Sequence, residues 1–170
     1  MESIRTIFEN QFGISDTDWS VFSSRLSHKA FPKRHVLLKI GQIEKYLYFI
    51  EKGILRFYIP KEENDITFSF AFENNFSSGY SSFLMQKPSV YQIETLAETL
   101  IWRISYSDLQ FIYENTEIGN TIGRKASEKL FMEKSIREIS LLNESPETRY
   151  LNLFTEQPHL IKEIPLKYIA

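Results

Sequence analysis

The chain has 170 residues, of which 42% are hydrophobic and 25% charged, with a net charge of −2 and a pI near 6.0. This is the make-up of an ordinary globular domain with no overall attraction for nucleic acid. It contains no cysteine, which excludes disulfides, thiolate metal sites, cysteine redox sensing and an iron–sulfur cluster on cysteines, and suits a reducing cytoplasm. No apolar run approaches the roughly 18–20 residues a membrane span needs.

Ile4, Ile7, Phe8 and Phe12 recur at helical spacing, and Gly13 ends the pattern. Ser15 opens a second short helix. Asp18 completes its capping signature, and Trp19, Phe22 and Leu26 give it an apolar side. From Ser27 to Ile104 the period changes to two. Segments 36–40, 46–51 and 54–59 read as strands, and Gly53 between the last two reads as a tight hairpin turn. The polar run 61–65 is a turn before 67–72, where Phe68, Phe70 and Phe72 share one face. Short strands at close spacing indicate a sandwich or barrel.

The chain is organised around residues 74–104. A polar, glycine-containing turn at 74–79 leads into a short segment apolar on one side through Tyr80, Phe83 and Leu84. Pro88 closes it, and the strand pattern resumes. A short helical insert between strands can cradle a small ligand with backbone N–H groups. Ser107 and Asp108 are expected to cap a helix over 109–114. Residues 117–143 then contain no proline; Ile118, Ile122, Ala126 and Leu130 recur every four residues, and Met132, Ile136, Ile139 and Leu142 continue an apolar stripe. About 25 helical residues span about 40 Å, more than a small β domain needs as cover. Ile118, Ile122, Ala126, Leu130 and Ile136 are therefore expected to form a dimer seam. Ser145-Pro146-Glu147 starts another helix with Tyr150, Leu151 and Phe154 on its apolar face. Pro158 ends it, and 161–170 read as the start of one more.

This order of elements resembles the Crp/Fnr family of bacterial transcription regulators over the whole chain. The most specific piece is the tail: Glu147-Thr148-Arg149-Tyr150-Leu151-Asn152-Leu153-Phe154, Pro158, His159, Leu160, then Ile164-Pro165-Leu166-Lys167-Tyr168-Ile169-Ala170. The resemblance implies an α+β fold. Residues 1–115 form a double-stranded β-helix, a jelly roll of the cyclic-nucleotide-binding kind with flanking helices, and 116–143 form a long dimerisation helix. Residues 144–170 begin a winged helix-turn-helix with its first helix, a short strand region and the lead into the helix-turn-helix. The recognition helix would follow Ala170, so this polypeptide lacks the element that enters a groove, and DNA is reached through the full-length protein. The implied assembly is a cytoplasmic homodimer.

Gly41 and Gly53 resemble glycines of the family's β-roll. Its cyclic-nucleotide binders carry Gly-Glu-apolar and, further on, Arg-Ser/Thr-Ala, where the Glu holds the ribose hydroxyl and the Arg pairs with the cyclic phosphate. Gly79 matches, but Tyr80 stands where the acid is expected and Ser89 where the arginine is expected, with Lys87 nearby before Pro88. Losing the arginine removes a contact worth roughly 1.5–3 kcal/mol per charged hydrogen bond, which argues against cAMP and cGMP. The candidate site is Gly79, Tyr80, Ser81, Ser82, Phe83, Ser89 and Tyr91, with Arg56 and the long helix as walls. Its hydroxyls and aromatics suit an unidentified neutral or aromatic effector, and equally a site plugged by Tyr80 and Tyr91.

The residues offer little to an enzyme, and no catalytic residue, metal ligand or cofactor is expected. A barrel metalloenzyme needs a His-x-His pair with a carboxylate, a spacing that His28, His35 and His159 do not have; His35, beside Lys33 and Arg34, reads as a surface residue. No P-loop or nucleophile elbow is present. A stand-alone regulatory module acting on a protein partner stays open beside the DNA-binding regulator. Lys29, Lys33, Arg34 and Lys39 read as a solvated strand edge. Arg124, Lys125 and Lys129, interleaved with Glu128 and Glu133, read as a salt-bridged helix face.

Overall fold

The structure, a computed structural model, describes residues 2–165 and 168. Two helices lead the chain, α1 (Glu2–Phe12) and α2 (Asp16–Ser23). Ser15 caps α2 as its sequence requires, its Oγ accepting from the Asp18 N–H at 3.1 Å. Eight strands come next: β1 (Ser27–Phe31), β2 (Val36–Leu38), β3 (Tyr46–Lys52), β4 (Leu55–Ile59), β5 (Ile66–Ala71), β6 (Phe76–Ser77), β7 (Gln92–Thr95) and β8 (Thr99–Ser105). A short helix, α3 (Tyr80–Met85), interrupts them between β6 and β7. Helices α4 (Tyr106–Asn115), α5 (Gly119–Asn143), α6 (Pro146–Glu156) and α7 (Pro158–Glu163) complete the described chain. The chain divides into two compact units, Met1–Thr121 and Ile122–Ala170.

In the first unit the strands form two four-stranded sheets, ordered β1-β8-β3-β6 and β2-β7-β4-β5. Alternation along each strand decides what lies between them. Tyr48, Ile50 and Ile101 from the first sheet meet Leu38, Leu55, Phe57 and Ile93 from the second. The opposite face of β3 carries Phe49, which packs on Phe76; Phe76 in turn packs on Phe8, so α1 and α2 cover that side of the first sheet. Arg25 joins α4 to the same side by an ion pair with Asp108 at 3.1 Å and by lying over the Phe111 ring. The jelly roll with flanking helices and a long helix is therefore the fold that the alternating and helical patterns lead one to expect. Lys29 does lie on an edge strand, exposed, and Arg124–Glu128 and Lys129–Glu133 do pair along α5.

Several local expectations are corrected. Gly53 is not the turn of a hairpin: β3 and β4 lie in different sheets, and Gly53, at φ 106°, turns the chain from one to the other. An added Cβ there would meet the Glu98 carbonyl oxygen and Thr99 Cα, both at 2.9 Å, so only glycine fits this corner. Ser105, not Ser107, caps α4, accepting from the Asp108 N–H at 3.1 Å. Leu84 faces outward, 51% exposed, while Phe83 on the other side of α3 is fully buried. Phe68, Phe70 and the polar Thr67 and Ser69 of the other set are all half-buried, because both faces of β5 are partly covered.

The second unit contains α6, capped by Ser145 with Pro146 at its first position as the sequence indicates. Pro158 does not lead into a short strand region; it starts α7, and Leu160 and Ile164 are buried. Leu166, Lys167, Ile169 and Ala170, part of the expected start of a helix-turn-helix, lie outside the described residues. No helix among the described residues is long and apolar enough to cross a membrane.

Candidate functional site

The cradle expected at 79–83 is built around α3. Gly79 is its N-cap residue, and the Phe83 N–H closes the first turn on the Gly79 carbonyl at 2.8 Å. Glycine is favoured here by space rather than by its dihedral angles: an added Cβ would sit 2.4 Å from Leu38 Cδ2, the end of a side chain that would have to shift, and 3.3 Å from Glu44 Cβ and Oε2. Phe83 anchors the helix, buried and edge-on to Tyr106 at 5.3 Å; burying such a ring contributes about 1.5–3 kcal/mol. Ser82, also buried, ties the helix down at both sides, its Oγ accepting from the Glu44 N–H at 3.0 Å and donating to the Lys87 carbonyl. Ser81 is exposed and Tyr80 half-buried.

Ser89 does not present its hydroxyl to a ligand. It is buried, donates to the Tyr91 carbonyl at 2.8 Å, accepts from the Tyr91 N–H at 3.3 Å, and pairs through its backbone with Gly41 and Gln42. Tyr91 turns inward against Phe57 and Phe68. Burial pushes that phenol up; the Ser81 hydrogen bond pulls it back and the negative charge of Glu44 opposes its ionisation. Tyr113, half-buried, is pushed up to about 12 by desolvation, with Tyr80 adding to the effect.

Arg56 is not a wall of this cradle. Its β4 neighbours Leu55 and Phe57 face the core, so Arg56 faces the other way. There it is 3% exposed, bound to Glu94 at 2.7 Å, Asp65 at 3.2 Å and Thr67 Oγ1 at 2.8 Å, over the Tyr58 ring.

The residue absent from the expected set is Glu44. It stands just before β3, is 2% exposed, and its Oε1 accepts from the Lys45 N–H at 2.9 Å, the Tyr46 N–H at 3.1 Å and the Tyr48 hydroxyl at 2.7 Å. Oε2 points to the Gly79 turn; the Gly79 N–H favours the charge but lies outside hydrogen-bonding geometry, leaving that oxygen without a partner. Burial pushes the Glu44 carboxyl up, and Tyr48, Tyr46, Gly79 and Lys45 each draw it back. Burial likewise pushes the Tyr48 phenol well above its ordinary value, with Glu44 adding to the effect. A lone acid between Ile43 and the apolar run of β3 was the available signal for Glu44.

The seam residues fall differently. Ile118 and Leu130 are half-buried, Ile122 is 8% exposed, Ala126 is exposed and Ile136 is 63% exposed. Ile118 lies in the turn before α5 and is not part of the long helix; within the helix, steps of four residues advance 400°, so the ladder from Ile122 to Leu130 drifts by about 40° per step.

The sequence pattern of the cyclic nucleotide-binding domain matches residues 28–116, just over half of the chain, and covers all eight strands but the first residue of β1, with α3 and α4. The chain belongs to this family. Among solved structures, the cyclic nucleotide-binding fold is shared with the catabolite activator protein of Thermus thermophilus, at a TM-score of 0.62 and 14% identity, over 76% of this chain and 61% of that one. It is shared with CLP, the c-di-GMP responsive global regulator of Xanthomonas campestris, at 0.62 and 15%, over 85% and 74%. It also occurs in the regulatory subunit of a cAMP-independent protein kinase A from Trypanosoma brucei, at 0.55 and 13%, over 74% and 49%. No curated protein sequence matches. The chain thus spans 61% of the length of the Thermus activator, and these likenesses concern the fold.

Proposed function

We propose that this chain is the sensing and dimer-forming part of a Crp/Fnr-type transcription regulator, cytoplasmic and without enzymatic activity. Its roll answers a small effector other than cAMP or cGMP, and a homodimer passes the response to DNA-binding domains supplied by the full-length protein. One observation carries this reading: a cyclic nucleotide-binding domain whose cradle has Tyr80 and Ser89 at the acid and arginine positions, and whose inner polar groups are bonded to one another. The fold shared with the Thermus activator supports the regulator class, and the Xanthomonas regulator, described as responsive to c-di-GMP, supports an effector outside the cyclic mononucleotides.

A signal at 79–83 shifts the seam of paired α5 helices and reorients the DNA domains, so that their spacing fits or misses the two half-sites. Ile136→Arg tests the seam, because Ile136 is 63% exposed in the single chain and its replacement leaves the roll intact. Light scattering is expected to read monomer for the variant and dimer for the parent, with unchanged circular dichroism. Dimer mass in both rejects the seam. The trypanosomal kinase subunit supports a second reading, a regulatory module acting on a protein partner. A full-length dimer that shifts no DNA in gel electrophoresis decides for that module.

A further inference from the structure

Three donors converge on one oxygen of Glu44: the N–H groups of Lys45 and Tyr46 and the hydroxyl of Tyr48, all within 3.1 Å. The carboxyl group is 2% exposed and its second oxygen lies unpartnered against the Gly79 turn. Backbone N–H groups and a phenol converging on a buried oxygen are what an anion site consists of. Nothing about packing a β-roll requires a carboxylate here, since a buried acid is costly unless its bonds offset the loss of water.

We propose that Glu44 is an internal ligand and the specificity determinant of the cradle: its carboxyl group fills from within the chain the place at the Gly79 turn that a ligand's anionic group would occupy, and phosphate esters are refused. The inference rests on reading 79–83 as the cradle. It explains why Tyr80 and Ser89 suffice where an acid and an arginine are expected, because no phosphate is received. A ligand that does enter must displace Glu44 or offer a hydrogen-bond donor to its free oxygen.

Chemical rescue tests this. In Glu44→Ala the donors of Lys45, Tyr46 and Tyr48 lose their acceptor, and a small free carboxylate can take its place. Melting of the purified chain is measured with about 100 mM sodium formate against sodium chloride of equal ionic strength, and separately with cAMP. Formate is expected to raise the midpoint of Glu44→Ala by at least about 2 °C, with cAMP also raising it, while the parent and Glu44→Gln, whose site stays filled, move by less than about 1 °C. If Glu44→Ala does not fold alone, formate is added during refolding, and recovery of the folded chain supports the proposal. Equal responses in parent and variant, or a variant that formate neither stabilises nor recovers, overturn it. The readout needs neither dimer nor DNA, so its failure leaves the regulator reading standing, and failure of the Ile136→Arg test leaves Glu44 standing.

Discussion

Replacing Gly53 by alanine probes the corner on which the two sheets are joined. Gly53 has a φ of 106°, and the added Cβ would lie 2.4 Å from Thr99 Oγ1 and 2.9 Å from both the Glu98 carbonyl oxygen and Thr99 Cα. Two of these atoms are backbone at the start of β8, which β1 and β3 hold from both sides, so no side-chain rotation relieves them. A positive φ alone costs an L-residue roughly 1–2 kcal/mol, and overpacking adds about 1–3 kcal/mol. The expected loss is therefore about 2–5 kcal/mol, a large share of the roughly 5–15 kcal/mol that holds a domain folded. Gly41 supplies the control: its φ is 82°, but an added Cβ meets nothing within 4 Å, so Gly41→Ala should cost only the conformational part. Urea titrations of the two variants, read at equal m-values, separate the terms. If Gly53→Ala costs no more than Gly41→Ala, the close approach at this corner is refuted.

Arg56→Met should cost about 3–5 kcal/mol in the same assay, because Glu94 loses its buried partner. Asp65, with its side chain 35% exposed, adds little. Combining it with Glu94→Met should recover much of the loss; an additive double variant would show that the pair is not coupled. Ser105→Ala should cost about 1 kcal/mol through the lost cap of α4, and Ser107→Ala less than about 0.5 kcal/mol, with the opposite ranking restoring Ser107 as the cap. For Glu44, the folded carboxyl titrates above its ordinary 4.5. Such a group contributes stability that is fully present below the unfolded value and is lost as pH rises through the folded one. Glu44→Gln should therefore gain stability relative to the parent as pH rises across that window, and a difference independent of pH would contradict the buried environment.

The sequence carried the elements whose cause is local. Ser15 and Ser145 cap the helices they precede, because an N-cap needs only a short side chain and the N–H three residues on. Alternation from Ser27 to Ile104 announced the strands, and the residue types at Tyr80 and Ser89 announced a cradle without the acid and arginine of a nucleotide binder. What the sequence could not say is which sheet each strand joins. Gly53 looks the same in a hairpin and in a corner, and the difference is decided by β8, which takes β3 as its partner from nearly fifty residues away. Arg56 illustrates the same limit, since period two tells which residues share a face but not which face looks inward. Glu44 is the sharpest case. Its neighbours in sequence explain two of its three bonds, but its 2% exposure goes with the Gly79 turn and Ser82 of α3 lying against it, and only tertiary packing turns an ordinary acidic residue into an occupant of the cradle.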